Sequence, residues 1–343
     1  MKPFAALSRL VSTLAFGSLL AACSPVPAPL PESEPAPAAP QPETTGATVA
    51  FTLTERDLLP ENLAYDPVDE AFYVGSTRKG KILRISRSGE VSDFVAPRKN
   101  GLWMVMGMKI DTERRHLWVA SSDGDNLEGY QRSRGRAAGL FKFDLTTGSL
   151  LGRWTLETPG ATHFFNDLVV TVAGDVYVTN MLKRASIFVL HAGSGEIERF
   201  ARPGGSFRAP NGIATAPDGT LFVAHREGIS AFDADLGERT LLTLPAGVTV
   251  SAIDGLYFHQ DSLIGIHPAE KRIHRYRLDA SQRVVTAVEQ LDIEHPLLTD
   301  LTTGVLVGDE LFFLASAQLT RINKGVLPPP DQLVDVVVLK IRL

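Results

Sequence analysis

Glu61, Met106, Asn166, Asn211, Asp254 and Thr303 each head a similar segment of the sequence, and four of the six carry a carboxylate or an amide. The segments run Glu61-Asn-Leu-Ala-Tyr-Asp, Met106-Gly-Met-Lys-Ile-Asp, Asn166-Asp-Leu-Val-Val, Asn211-Gly-Ile-Ala, Asp254-Gly-Leu-Tyr and Thr303-Gly-Val-Leu. If they surround one axis, the heads form a ring that presents two carboxylates and two amides to its centre. Calcium takes about six to eight oxygens of this kind, whereas zinc prefers histidine and cysteine. Two carboxylates facing one cavity also raise each other's pKa unless a cation sits between them. The ring therefore reads as a divalent-cation site on Glu61, Asn166, Asn211 and Asp254, with Ca2+ first and Mg2+, Mn2+ or Zn2+ open. Met106 and Thr303 leave a gap where water or substrate would enter. Asn-Gly and Asp-Gly are also ordinary turn signals, which is the competing explanation for any one position.

Successive heads are 45, 60, 45, 43 and 49 residues apart, the period at which propeller blades recur. From Asn211 the repeat reads Gly-Ile-Ala-Thr, a Pro217-Asp218-Gly219 turn, Thr220-Leu-Phe-Val-Ala, Gly228-Ile-Ser-Ala-Phe-Asp and Arg239-Thr-Leu-Leu-Thr-Leu. Short apolar or alternating runs between Asp, Gly and Pro are strands and hairpin turns. The expectation is an all-β six-bladed β-propeller over residues 48–343, with four antiparallel strands per blade and little or no helix. The last repeat ends on a third strand, Val336 to Leu343, while Val49 to Leu53 precedes the first ring residue. The two termini should share one blade, because a closed circle removes exposed sheet edges. The extra length of the 60-residue repeat falls in 121–136, a glycine-rich charged loop that would project from one rim and overhang the axis. Its Asp123-Gly-Asp125 does not continue as a calcium loop, since Leu127 and Glu128 occupy the next key positions.

Second strands run back toward the ring, so their ends should form an outer circle that includes Ser76, Ser121, Asn180, His225 and His267. Asn180, His225 and His267 are substrate-binding candidates there, and a histidine is able to relay a proton; a loop-end histidine is also often just part of the rim. Three residues ahead of the ring lie Trp103, His163 and Arg208. His163 and Arg208 are the further substrate-binding candidates, Arg208 for an anionic group. No serine-nucleophile elbow, phosphate-binding glycine loop or redox cysteine pair is present.

Lys2 and Arg9 precede an apolar run, Leu10 to Leu20, too short to span a bilayer and suited to a signal peptide. It ends in Leu20-Ala21-Ala22-Cys23, which resembles the lipobox of bacterial lipoproteins and implies removal of residues 1–22 and lipidation of Cys23. Residues 23–47 then form a proline-rich tether. Ser24 after the cysteine implies, by the same resemblance, an outer-membrane lipoprotein of the cell envelope, its domain periplasmic. The membrane is thus met through the lipid anchor alone. Cys23 is the single cysteine, so the domain is held by its core rather than by disulfides. Without Lys2 and Arg9, the 34 basic residues fall to 32 against 39 acidic ones, and nucleic acid is excluded as a partner.

Leu59-Pro-Glu-Asn-Leu-Ala-Tyr-Asp-Pro67, Phe165-Asn-Asp-Leu-Val, Pro210-Asn-Gly-Ile-Ala-Thr-Ala-Pro-Asp-Gly219 and Ile253-Asp-Gly-Leu resemble signatures of the senescence-marker-protein/gluconolactonase family. That family includes regucalcin-like lactonases and, more distantly, squid-type diisopropylfluorophosphatase and paraoxonases. The resemblance covers about residues 49–343 and implies a metal on the axis of a six-bladed propeller. Carried over by motif, Glu61, Asn211 and Asp254 are ligands, and Asn166 matches a position that is a ligand in some members and nearer the substrate in others. The chain departs from the family in Glu61-Asn62, where Glu-Gly is usual, and in Ala64-Tyr65, where aromatic residues often follow. The implied activity is metal-dependent hydrolysis of a small cyclic ester, a lactone, with Asp254 as both ligand and catalytic base. The alternative is a non-catalytic, lipid-anchored propeller that binds an envelope protein or small ligand and uses the ion as a brace.

Overall fold

Each repeat folds as one four-stranded antiparallel sheet in the computed structural model, which describes residues 46–131, 136–157, 162–182, 185–201, 207–233, 237–250, 252–323 and 325–343. The leader, Cys23 and all but the last residues of the tether lie outside the described residues. Blade 1 comprises β2 (Pro60–Asp66), β3 (Ala71–Ser76), β4 (Ile82–Ile85) and β5 (Val91–Val95). Blade 2 comprises β6 (Met104–Asp111), β7 (His116–Ser122), β8 (Ala138–Asp144) and β9 (Leu150–Leu156). Blade 3 is built from β10 (Phe165–Val170), β11 (Val176–Asn180), β12 (Ser186–Leu190) and β13 (Glu198–Ala201). In blade 4 the strands are β14 (Ile213–Thr215), β15 (Leu221–His225), β16 (Gly228–Phe232) and β17 (Arg239–Leu241). Blade 5 follows as β18 (Leu256–His259), β19 (Ser262–His267), β20 (Arg272–Leu278) and β21 (Val285–Gln290). The only helical segments among the described residues are single turns of 3-10 type, and none is long and apolar enough to cross a membrane.

Blade 6 is the composite one. Its β22 (Gly304–Val307), β23 (Glu310–Leu314) and β24 (Val336–Arg342) come from the C-terminus, and β1 (Thr48–Leu53) from the N-terminus. Leu53 pairs with Val336 and Thr48 with Lys340, antiparallel, as the unmatched terminal strands require. Six buried apolar clusters then alternate with the six blades, one between each neighbouring pair, including blade 6 against blade 1 through Leu53, Leu63, Leu314 and Val338. Second strands such as β11 and β15 have every residue buried. Both of their faces are covered by neighbouring blades, which explains why they read as unbroken apolar runs rather than alternating ones. The outer strand β5 begins with three exposed residues.

Glycine follows four of the six ring residues, and at Gly107 and Gly212 the reason is the neighbouring blade. A Cβ on Gly212 would lie 2.5 Å from the Asp254 carbonyl oxygen and 2.6 Å from the Leu256 nitrogen, so blade 5's inner strand passes too close for any side chain. A Cβ on Gly107 would meet the backbone of Asn166 and Asp167 at 2.8 Å. Blades 1 and 3 solve the same approach differently. Asn62, 2% exposed, accepts a hydrogen bond from the Met108 N–H at 3.3 Å, and Asp167 Oδ2 accepts from the Ile213 N–H at 3.3 Å. The Glu61-Asn62 departure thus replaces a close contact by a side-chain bridge to the next blade.

Candidate functional site

The ring residues stand where the chain enters each inner strand. Asn211 and Asp254 donate their N–H groups to Ala224 and Ile266 carbonyls at 2.9 Å, which locks their register against the second strand. Two positions earlier, Leu59, Ala209 and Ala252 adopt left-handed φ of 47°, 48° and 53°. Such a backbone costs non-glycine residues about 1–2 kcal/mol, and here it recurs two residues ahead of Glu61, Asn211 and Asp254. Strain of this kind persists only where surrounding packing over-determines it, and it clusters at functional sites.

Three ring side chains form one bonded row. Asn166 Nδ2 donates to Asn211 Oδ1 at 2.6 Å, Asn211 Nδ2 donates to Asp254 Oδ1 at 2.8 Å, and Thr302 Oγ1 donates to Asp254 Oδ2 at 2.7 Å. Glu61 adjoins this row electrostatically: its carboxyl is pushed well above the usual range, first by burial and then by the charges of Asp254, Asp300 and Asp167. Burial likewise raises Asp254, while the bonds from Thr302 and Asn211 pull it partly back. Glu61, Asn211 and Asp254 nevertheless keep partial solvent contact, so they face an open mouth rather than a sealed core. Among the described residues, the Glu61 carboxylate accepts no hydrogen bond. Thr303 Oγ1 donates instead to the Glu61 backbone carbonyl.

A carboxylate without donors beside a second carboxylate and two amides is a donor set that fits a hard divalent cation. Among the described residues no three His, Cys, Asp or Glu side chains gather as a metal centre, so such an ion would depend on the amides as well. The position beside Met106 is roofed. Met106 is 5% exposed and packs with Met104 and Leu127, against which Trp103, Tyr130 and Phe164 lean. The described part of the long blade 2 loop, through Leu127 and Tyr130, therefore packs against Met106 and supplies an apolar wall where the ring lacks a donor.

The outer circle lies under the rim. Asn180 Oδ1 accepts the Phe164 N–H at 2.9 Å, and its Nδ2 faces Leu182 O and Ser186 Oγ at 3.5 and 3.4 Å. His225 Nε2 bonds Ser230 Oγ at 2.8 Å and His267 Nε2 bonds Tyr276 OH at 2.8 Å, each histidine being 4% exposed. These contacts pin second strands to third strands. His163 differs: it is half-buried edge-on to Phe188, and its Nδ1 has no hydrogen-bond partner among the described residues. Burial and then Arg199 lower its pKa, while the Asn180 side chain pulls it partly back. Arg208 is exposed on its entering loop.

One layer below the ring lie residues that its six-fold pattern does not single out. Lys109 Nζ is 4.0 Å from Asp167 Oδ1 and 5.4 Å above the Tyr257 ring. Tyr257 OH donates to the Gly304 carbonyl at 2.9 Å and accepts the Gly304 N–H at 2.6 Å. The signal for Asp167 was present in Asn166-Asp167, the one ring position followed by an acid.

The histidine under the rim makes a pH prediction. Burial first, and Arg239 second, lower His225 to about 4 from the ordinary 6.5. A base with a depressed folded pKa favours the fold above its unfolded pKa, and that contribution drains away as pH falls toward 4. Melting temperature should therefore drop between pH 7 and 4.5, and His225→Gln should make the drop shallower by on the order of 2 kcal/mol. Parallel pH–melting curves for the two proteins would show that His225 is not the buried neutral group described.

No protein-family model matches the sequence, and no curated protein does so. Solved structures with a similar fold include the major allergen Mala s 1 of Malassezia sympodialis, at TM-score 0.64 and 15% identity over 84% of this chain and 95% of that one. A gluconolactonase from Xanthomonas campestris matches at TM-score 0.54 and 16% identity, over 82% of this chain and 85% of that one. Virginiamycin B lyase from Staphylococcus aureus matches at TM-score 0.57 and 14% identity, over 86% of this chain and 99% of that one. At identities this low the likeness shows a shared fold alone.

Proposed function

We propose that the chain is a cation-dependent hydrolase of a small cyclic carboxylic ester, acting at the ring mouth. The observation that carries this reading is the donor-free Glu61 carboxylate beside the bonded row Asn166, Asn211 and Asp254. The likeness to a gluconolactonase from Xanthomonas campestris supports a lactone as the substrate class. Glu61, Asn166, Asn211 and Asp254 would hold the cation, calcium before magnesium, manganese or zinc. When bound, it supplies positive charge that polarises an ester carbonyl and acidifies water.

Asp254 takes one proton from the attacking water as the water oxygen bonds the carbonyl carbon. The ring C–O bond then breaks, and the proton passes to the leaving alkoxide, giving an open-chain hydroxy acid. Thr302 and Asn211 fix the plane of the Asp254 carboxylate through one oxygen each. Leu127 and Tyr130 keep bulk water from the Met106 side. His163 stands on the entering loop with its Nδ1 buried and without a hydrogen-bond partner among the described residues, so it would meet substrate only by turning that nitrogen outward. The lipobox-like Leu20 to Cys23 supports anchoring of Cys23 to the outer membrane of the cell envelope, with the propeller in the periplasm.

The test is a panel of aliphatic and sugar lactones with the chelated and the calcium-reloaded protein. Turnover lost on chelation and restored by calcium is expected, and full turnover in metal-free protein would overturn the mechanism. A tightly bound ion with no turnover of any cyclic ester would favour a non-catalytic propeller braced by its ion.

A further inference from the structure

The inner strands end on residues very different from those on which they begin. Three or four positions beyond the ring, Lys109, Ile110, Val169, Tyr257 and Leu306 line a cavity of about 260 Å³ at the opposite end of the axis. It draws on blades 2 to 6 and is continuous, through Val170, Thr215, Phe258 and Leu306, with an outer recess of about 730 Å³. Val172, 85% exposed, stands on the wall of that recess. The inner cavity is an apolar trough with Lys109 at its end, while Asp218, His259 and Gln260 bring polar groups to the outer recess.

The Lys109 cation is poorly served by the protein. Lys109 keeps 23% of its side chain exposed, and among the described residues its ammonium donates no hydrogen bond. Asp167, at 4.0 Å, already accepts the Leu168 N–H at 2.9 Å and the Ile213 N–H at 3.3 Å. Tyr257 offers only its ring face, since its hydroxyl is committed to Gly304. Beyond the Asp167 ion pair, the ammonium meets an inner cavity whose lining offers one threonine hydroxyl, Thr215, as a further side-chain acceptor, and leaving such donors unmet is costly.

We propose that this opposite mouth is a second binding site, specific for a medium-chain alkyl carboxylate whose head meets Lys109 and whose tail lies along the trough. The carboxylate supplies the acceptors that the ammonium lacks, and the alkyl chain covers Val170, Phe258 and Leu306. A sugar finds few polar partners along the inner cavity, which is apolar apart from Lys109, Thr215 and Tyr257. A neutral apolar ligand would strip water from Lys109 without replacing it.

Octanoate is the probe, titrated into the purified full chain by calorimetry, with octanol carrying the same tail without charge and acetate the head without a tail. Octanoate should bind about tenfold more tightly than octanol, as expected for a charge-assisted hydrogen bond, and acetate should bind far more weakly than either. Lys109→Met, which keeps the apolar stem, should cost about tenfold in octanoate affinity and leave octanol unaffected. Val172→Asp, on an exposed turn at the tail end, should weaken octanoate and octanol alike by setting a charge against the alkyl chain, a readout that stands even if the Lys109 variant folds poorly. No octanoate binding at millimolar concentration overturns the proposal, as does equal binding of octanoate and octanol, or octanoate affinity unchanged in Val172→Asp.

Discussion

Glu61→Gln and Asp254→Asn should each lower divalent-cation affinity by about a hundredfold or more, because each removes one of the two formal charges of the proposed cation site, where the effective dielectric is low. Calorimetry with calcium on the two variants measures this. Asp254→Asn should also cost about 10²–10⁴ in lactone turnover through loss of the proposed proton acceptor, the larger of the two catalytic losses. A second readout needs no ion. Glu61 is raised well above the usual carboxyl range, so in the metal-free fold its charge opposes folding at neutral pH. A carboxyl with a raised folded pKa favours the fold below that pKa and loses the contribution as pH rises through it. Metal-free Glu61→Gln should accordingly melt higher than the metal-free parent at pH 7. Unchanged calcium affinity in the double variant would remove the site. A lower metal-free melting temperature for Glu61→Gln would show the glutamate to be a satisfied structural group.

Deleting residues 46–53 should abolish the native fold. These residues carry β1, whose loss exposes the whole edge of β24 from Val336 to Lys340. Leu53, Ala50 and Phe51 leave the cluster that joins blade 6 to blade 1, and Ala47 leaves the one joining blade 5 to blade 6. Burial is worth about 1.5–3 kcal/mol per large apolar side chain, against a total stability of about 5–15 kcal/mol. The opened circle also presents a free strand edge, which promotes aggregation. Expression of 46–343 beside 54–343, compared by solubility and thermal melting, tests the closure. Cooperative melting of the shorter chain within a few degrees of the longer would show that the shared blade is dispensable.

Several details correct the local meaning of residues whose position was legible. Asn-Gly and Asp-Gly read as turn signals, yet Gly212 is required by the carbonyl of Asp254, contributed by the following blade. Asn62 reads as a departure from a motif, yet it bridges to Met108 and does for blade 1 what Asp167 does for blade 3. Met106 reads as a gap in the donors, yet Leu127 and Tyr130 cover it. His225 and His267 read as candidates on the rim, and each is bonded to the neighbouring strand at 2.8 Å beneath it.

By itself the sequence determined the six blades, the strand order within them, the blade shared by the termini and the level of the ring. All of these follow from short-range signals: apolar runs the length of a strand, turn residues between them, and a repeat that returns at similar spacing. Only the tertiary structure decided the bonded row from Asn166 through Asn211 to Asp254, the roof over Met106 and the under-satisfied Lys109 beside Asp167 and Tyr257. Close approach in these cases links different blades, or a loop folded back onto an inner strand. Periodicity places residues at one height around that axis, but it does not say which side chains point at one another, because that depends on how blades pack and how loops fold over them.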